Sequence, residues 1–253
     1  MTEKTRPEPG LTARRETRVR GERRPRVTLL RHGEPDWAPR GAAVPDPGLT
    51  PFGRAQAKAT ADRIAREGVD AIYVSPYRRA QETAAPLAAA TDLGPVTLPG
   101  LAEVGVSVDG LTPEAVDRYF VEASRRPLGE HWQGWPGAES FRDFHARVVD
   151  ALESLLARHG LRPRRDAQHA FTHWDLDGAP ARIAIVAHGG TNAVALSHLL
   201  DVNPVPWEWL RFESELCAFS VVQARPLGPI GHVWSLQNFN EVDPLVEAGL
   251  RER

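Results

Sequence analysis

The sequence predicts an α/β fold, a three-layer α/β/α sandwich around a mostly parallel central sheet. Three observations carry this expectation. Short apolar runs at residues 27–30, 69–74 and 183–187 read as strands. Strands covered on both faces lose the alternation of apolar and polar residues. Helical spacing fills the intervals, and strands alternating with helices imply crossover connections and a parallel sheet. Finally, these runs end in chemistry: Arg31-His32-Gly33, Ser75-Pro76 and His188-Gly189-Gly190. In open sheets of this kind, ligands bind outside the carboxyl ends of the strands. Those three clusters are therefore expected at one crevice.

The elements follow in order. After the first strand comes a loop rich in proline and glycine. Thr50-Pro51 then looks like an N-cap with proline at the first helical position. Ala55, Ala59 and Ile64 keep helical spacing, and Gly68 is a plausible stop. A second helix is expected from Arg78 into the alanine run at 88–90, then a short strand at 96–98. A helix near 113–123 precedes a loop with Trp132, Trp135 and Pro136. Ser140 is placed to cap a long helix lined by Phe144, Val148, Leu152 and Leu155, with Gly160 near its end. Residues 161–181 are polar and read as an inserted loop or hairpin. Residues 218–223 and 232–236 read as a late hairpin around a turn at 226–231.

Composition narrows the function classes. A length of 253 residues suggests one generous domain with appendages. The expected division is a disordered arginine-rich tail at 1–25, a main domain at 26–240 and a C-terminal tail at 241–253. Within the main domain, 100–137 follows a strand end and is the candidate lid, while 161–181 should lie away from the crevice. The formal net charge of −2 gives no reason to expect nucleic acid or a membrane as partner. No apolar run reaches the roughly 18 residues of a spanning helix. The arginine-rich start lacks the apolar core of a signal peptide. A single cysteine, Cys217, excludes an internal disulfide and suits a cytoplasmic protein. It reads as a core residue.

Two strands that each deliver a histidine bring two imidazoles to one sheet edge. One imidazole attacks an anionic centre while cations hold the anion. Six motifs stand in an order that resembles the histidine phosphatase superfamily, the phosphoglycerate-mutase-like proteins. They are Arg31-His32-Gly33-Glu34, the helix start from Leu49-Thr50-Pro51 to Gln56-Ala57, and the run from Ser75-Pro76 through Arg79-Ala80 to Thr83-Ala84. Leu101-Ala102-Glu103, Pro136-Gly137-Ala138-Glu139-Ser140 and Val186-Ala187-His188-Gly189-Gly190 complete the set. The resemblance covers roughly residues 26–240.

The resemblance implies the roles. His32 is the nucleophile and becomes phosphohistidine. Arg31 and Arg79 bind phosphate, for which their planar forks are suited. His188 contacts the phosphoryl group, and Gly189 and Gly190 offer backbone N–H groups at a helix start. Glu103 is the general acid, with Asp109 and Glu114 as nearby alternatives, because Val104-Gly105-Val106 departs from the family's continuation. Arg78 is expected at the rim. Ser75 closes a turn, and Glu34 makes structural hydrogen bonds. Trp132 and Trp135 either line the pocket mouth or pack beneath a lid.

No cofactor and no metal are expected, since arginines supply the charge. His169, His173, Asp175 and Asp177 read as a solvated loop rather than a metal site. The resemblance also separates two reactions. Glycolytic mutases continue the first motif with serine, tryptophan and asparagine and carry a long basic segment. Here Pro35-Asp36-Trp37-Ala38 follows Glu34, and residues 100–137 contain three arginines and no lysine. Both departures imply hydrolysis of a small phosphorylated substrate. A mutase and a phosphate- or phosphoprotein-binding module are the alternatives. Substrate identity and oligomeric state are not encoded legibly.

Overall fold

The computed structural model describes residues 23–39, 44–105, 111–166 and 171–251. Strand β1 (Arg26–Arg31) leads through a loop to helix α1 (Pro51–Glu67), strand β2 (Ala71–Val74) and helix α2 (Arg78–Thr91). Strand β3 (Val96–Thr97), helix α3 (Pro113–Ser124) and helix α4 (Phe141–Ala157) follow. Strands β4 (Leu161–Asp166), β5 (Phe171–Leu176) and β6 (Arg182–Ala187) come next, then helices α5 (Gly189–Leu199) and α6 (Glu208–Arg211). Strands β7 (Phe219–Pro226) and β8 (His232–Glu241) precede the last helix, α7 (Asp243–Glu247).

The strands form one sheet in the order β3-β2-β6-β1-β7-β8-β5-β4. The α/β class holds, but the sheet is mixed. β3, β2, β6 and β1 run parallel. The other four strands join antiparallel. The reason is local: β4–β5 and β7–β8 are hairpins, and short connections permit only antiparallel pairing.

Side-chain alternation builds the layers. Val27, Leu29, Tyr73, Ile183 and Ile185 pack with Leu152 and Leu155 of α4 and Leu196 of α5. Leu30, Ile72, Val74, Ala184 and Val186 pack on the opposite face with Ile64 of α1 and Leu87 of α2. Both faces of the parallel half are therefore covered, as its unbroken apolar runs require. Truncating a fully buried leucine such as Leu152 to alanine costs about 2–5 kcal/mol.

Helix starts follow the sequence signals. Gly53 N donates to Thr50 Oγ1 at 2.9 Å, and Asp143 N donates to Ser140 Oγ at 3.0 Å. Gly68 ends α1 at φ +83°, a conformation glycine adopts freely.

Two regions differ from expectation. The 161–181 segment, expected as an inserted loop or hairpin, takes the hairpin form, and this corrects the solvated loop expected for His173, Asp175 and Asp177. It is a hairpin that extends the sheet, with Trp174 buried and paired to His232 across β5 and β8. His173 is buried too, while Asp175 pairs with Arg164 and Asp177 with Arg162. His169 lies outside the described residues. The C-terminal segment carries α7, whose Leu245 is buried with Leu49, Ala57 and Cys217. Gln56 Nε2 also donates to Leu250 O at 3.2 Å. Among the described residues no helix is long and apolar enough to cross a membrane.

Candidate active site

Parallel pairing of β1 and β2 with β6 brings three strand ends to one side of the sheet. His32 N donates to Ala187 O at 3.0 Å, and Ser75 N donates to Val186 O at 3.0 Å. Arg31, His32, Ser75 and His188 thus sit within one strand-end cluster. The His32 and His188 rings meet edge to face with centroids 5.1 Å apart.

His32 is 4% exposed. Its Nδ1 lies 2.8 Å from Gly33 O. A carbonyl oxygen only accepts, so Nδ1 carries the ring proton and Nε2 carries the lone pair. Burial pushes the His32 pKa down to about 3, reinforced by Arg79 and then Arg31 against the Gly33 hydrogen bond. The imidazole is therefore neutral near pH 7. Glycine at 33 is a packing requirement. A Cβ there would stand 2.6 Å from Gly53 O, so the start of α1 closes directly against this loop. Glu34 is part of that closure: Thr50 Oγ1 donates to its Oε1 at 2.6 Å, and Gln56 Oε1 accepts from its backbone N–H.

His188 is fully buried and caps α5. Its Nε2 is 2.7 Å from Ser75 Oγ, while Nδ1 has no hydrogen-bond partner. Burial first, then His32, Arg79, Arg31 and Arg147, hold its pKa well below the ordinary histidine value. Ser75 does more than close a turn, since its hydroxyl fixes this ring.

Arg79 is the second residue of α2 and is 4% exposed. Its guanidinium lies between the rings of Tyr77 and Trp37, at 4.6 and 4.9 Å from their centroids. Nε and Nη1 lack hydrogen-bond partners, and Asp46 approaches Nη1 only to 3.9 Å. A buried guanidinium with open N–H groups suits an incoming anion. Arg31 donates from Nη1 to Ser214 O. Arg78 faces outward, and its Nε donates to Glu82 Oε1 at 2.7 Å.

Glu103 follows a 3₁₀ turn at Pro99–Leu101. Gly190 N donates to its Oε2 at 2.9 Å and Val104 N to its Oε1 at 3.0 Å. Burial nonetheless raises its pKa, outweighing these hydrogen bonds and the attraction of Arg79 and Arg31. Glu114 is exposed on α3 and does not reach the crevice. Asp109 lies outside the described residues. The Gly190 N–H is committed to Glu103, which corrects its expected place on the anion. A Cβ at 190 would fall 2.5 Å from Glu103 Oε1. Gly189 lines the crevice beside the Arg31 guanidinium.

Arg31, His32, Arg79, Glu103 and Gly189 share a crevice of about 420 Å³. Its outer wall holds Trp37, Phe120, Trp135, Trp209, Leu210, Phe212 and Glu213. Trp135 lines the crevice and also packs on Phe141 and Trp209. Trp132 does not line it; the ring packs against His145. Helix α6, with Trp209 and Leu210, was not read from the sequence. The available signal was the Trp207-Glu208-Trp209-Leu210 cluster in a stretch without assigned structure. Buried Glu208 anchors this helix by accepting from Ser197 Oγ at 3.0 Å and Val205 N at 2.8 Å. No described residue of the 161–181 segment lines the crevice. No group of three or more metal-ligating side chains occurs among the described residues.

Known proteins share this fold. A structure titled "Mycobacterial hydrolase 1" superposes with a TM-score of 0.65 at 25% identity, covering 86% of this chain and 99% of that one. Mycobacterial glucosyl-3-phosphoglycerate phosphatase gives a TM-score of 0.63 at 26% identity, with 85% and 98% covered. Phosphoserine phosphatase 1 of Hydrogenobacter thermophilus is 33% identical over 138 residues, 53% of this chain and 65% of that protein. The chain thus spans just under two thirds of that curated relative. The family model of the histidine phosphatase superfamily (branch 1) matches residues 27–237, and the chain belongs to that superfamily.

Proposed function

We propose that the protein is a metal-independent phosphomonoester hydrolase that works through a phosphohistidine on His32. The observation that carries this reading is the buried His32 ring, whose Nδ1–H is held by Gly33 O beside two arginines. That tautomer leaves Nε2 as a neutral nucleophile. Relatives named as phosphatases support the same reaction class.

In the first step, Nε2 attacks phosphorus and the bond to the leaving oxygen breaks. Glu103, its pKa raised by burial, transfers its proton to that oxygen. Arg31 and Arg79 hold the phosphoryl oxygens, and the unpartnered Nδ1 of His188 is the ring nitrogen left to meet one of them. In the second step, the Glu103 carboxylate takes a proton from water. The water oxygen bonds phosphorus, the P–N bond breaks, and phosphate leaves with His32 neutral again. Arg31 and Arg79 are the only cations among the described residues lining the crevice. This favours water over a bound sugar acid as acceptor. The partner is a small phosphorylated molecule, and a cytoplasmic location fits the lone, buried Cys217.

The test is phosphate release from 4-nitrophenyl phosphate with EDTA present. Wild type is expected to turn over, and His32→Ala to lose on the order of 10⁴-fold or more in kcat. Turnover that survives the substitution, or that EDTA abolishes, overturns the proposal.

A further inference from the structure

The deep end of the crevice is cationic, and its outer end is not. Beyond Arg31 and Arg79 the wall consists of Phe120, Trp135, Trp209, Leu210 and Phe212, with Glu213 as its charged side chain. Glu213 is exposed and forms no ion pair among the described residues. The apolar wall also continues. A second groove of about 420 Å³ shares Phe120, Trp135, Trp209 and Leu210 with the crevice and runs on between α3 and α6. The two hollows lie against the same four apolar side chains, and Arg31 and Arg79 line only the first.

We infer that the preferred substrate is a phosphomonoester of a bulky, apolar or aromatic alcohol, without a carboxylate or second phosphate near the ester. This rests on the hydrolase reading and specifies its substrate class. Three physical arguments converge. Apolar walls gain from burying an apolar leaving group. Aromatic rings offer flat faces for stacking. A second anion close to the ester would meet Glu213, with no cation in the crevice beyond Arg31 and Arg79 and with Arg126 lining only the second groove, and like charge at a recognition surface discriminates strongly. The named phosphoserine and glucosyl-3-phosphoglycerate relatives act on esters that carry a carboxylate, so the inference separates this chain from them.

Matched alkyl phosphates keep leaving-group chemistry constant. The panel is methyl phosphate, 2-phenylethyl phosphate and 2-(4-carboxyphenyl)ethyl phosphate, each assayed for kcat/KM with wild type, Trp209→Ala and Glu213→Lys. Wild type is expected to favour 2-phenylethyl over methyl phosphate by about 10-fold or more, the range for apolar pocket contacts. The carboxylated ester is expected to fall below 2-phenylethyl phosphate by a similar factor. Trp209→Ala should lower the phenylethyl value several-fold more than the methyl phosphate value, narrowing the ratio between the two esters. Glu213→Lys should narrow the carboxylate penalty. Hydrolysis of all three esters with equal or greater preference for the carboxylated one overturns the inference and leaves the hydrolase reading intact. No hydrolysis of any ester overturns both.

Discussion

The two ends of the crevice are built in different ways. The phosphate end comes from loops directly after β1, β2 and β6, held in register by parallel pairing. His32, Ser75, Arg79 and His188 are buried there, and the two histidines are held neutral. The outer end comes from α3, the Trp135 loop, α6 and the residues just after α6, which contribute rings and one exposed carboxylate. The first end is rigid because strands define it. The second is tethered at points, such as Glu208 and the hydrogen bond from Trp207 Nε1 to His131 Nδ1 at 2.9 Å. Reaction chemistry sits where backbone geometry is fixed, and selectivity sits where segments can be exchanged.

That contrast can be broken at its strongest point first. Arg79→Ala is expected to lower kcat/KM by roughly 10²–10³-fold on every ester, because it removes charge at the transferring group. A loss confined to bulky esters would erase the distinction between the two ends.

Glu103→Gln sharpens the comparison from within the phosphate end. It should slow alkyl phosphates by about 10²-fold or more and 4-nitrophenyl phosphate much less, because nitrophenolate needs little help to leave. The pH profile gives the sign. In the proposed first step Glu103 acts as the protonated acid, and its raised pKa extends that form toward neutrality. Wild-type kcat/KM for alkyl esters should fall as pH rises through that pKa, and the Gln variant should lose this limb. Equal losses on both leaving groups would assign Glu103 a purely structural role.

Ser75→Ala is the mildest perturbation. Removing the hydroxyl 2.7 Å from His188 Nε2 frees the ring and should lower kcat about 10-fold, with KM little changed. A change in KM alone would mean that Ser75 acts on binding.

The same contrast explains what could be read in advance. Arg31, His32, Arg79 and His188 stand at the ends of apolar runs or at a helix start, so their convergence follows from the order of elements and the rule for strand ends. The caps at Thr50 and Ser140 were legible because local chemistry fixes them. Ser75 was underread, since its partner lies far along the chain and sequence gives no distance. Trp209, Leu210 and Phe212 were missed because a four-residue helix has no periodicity to detect. The burial of His173 and Trp174 within the 161–181 hairpin was not legible because they stand in a polar stretch, and only pairing with β8 shows that this strand is covered.

One feature of α5 reaches beyond the crevice. His188 caps this helix, Gly189 and Gly190 form its first turn, and the Gly190 N–H holds the Glu103 carboxylate. The proposed proton donor and the second imidazole therefore ride on a shared mount. A small tilt of the helix displaces both together and preserves their spacing. Substitutions around Leu196 and Leu199, in the core under this helix, would then retune the whole assembly by degrees, whereas a side chain added at 190 would split it in two.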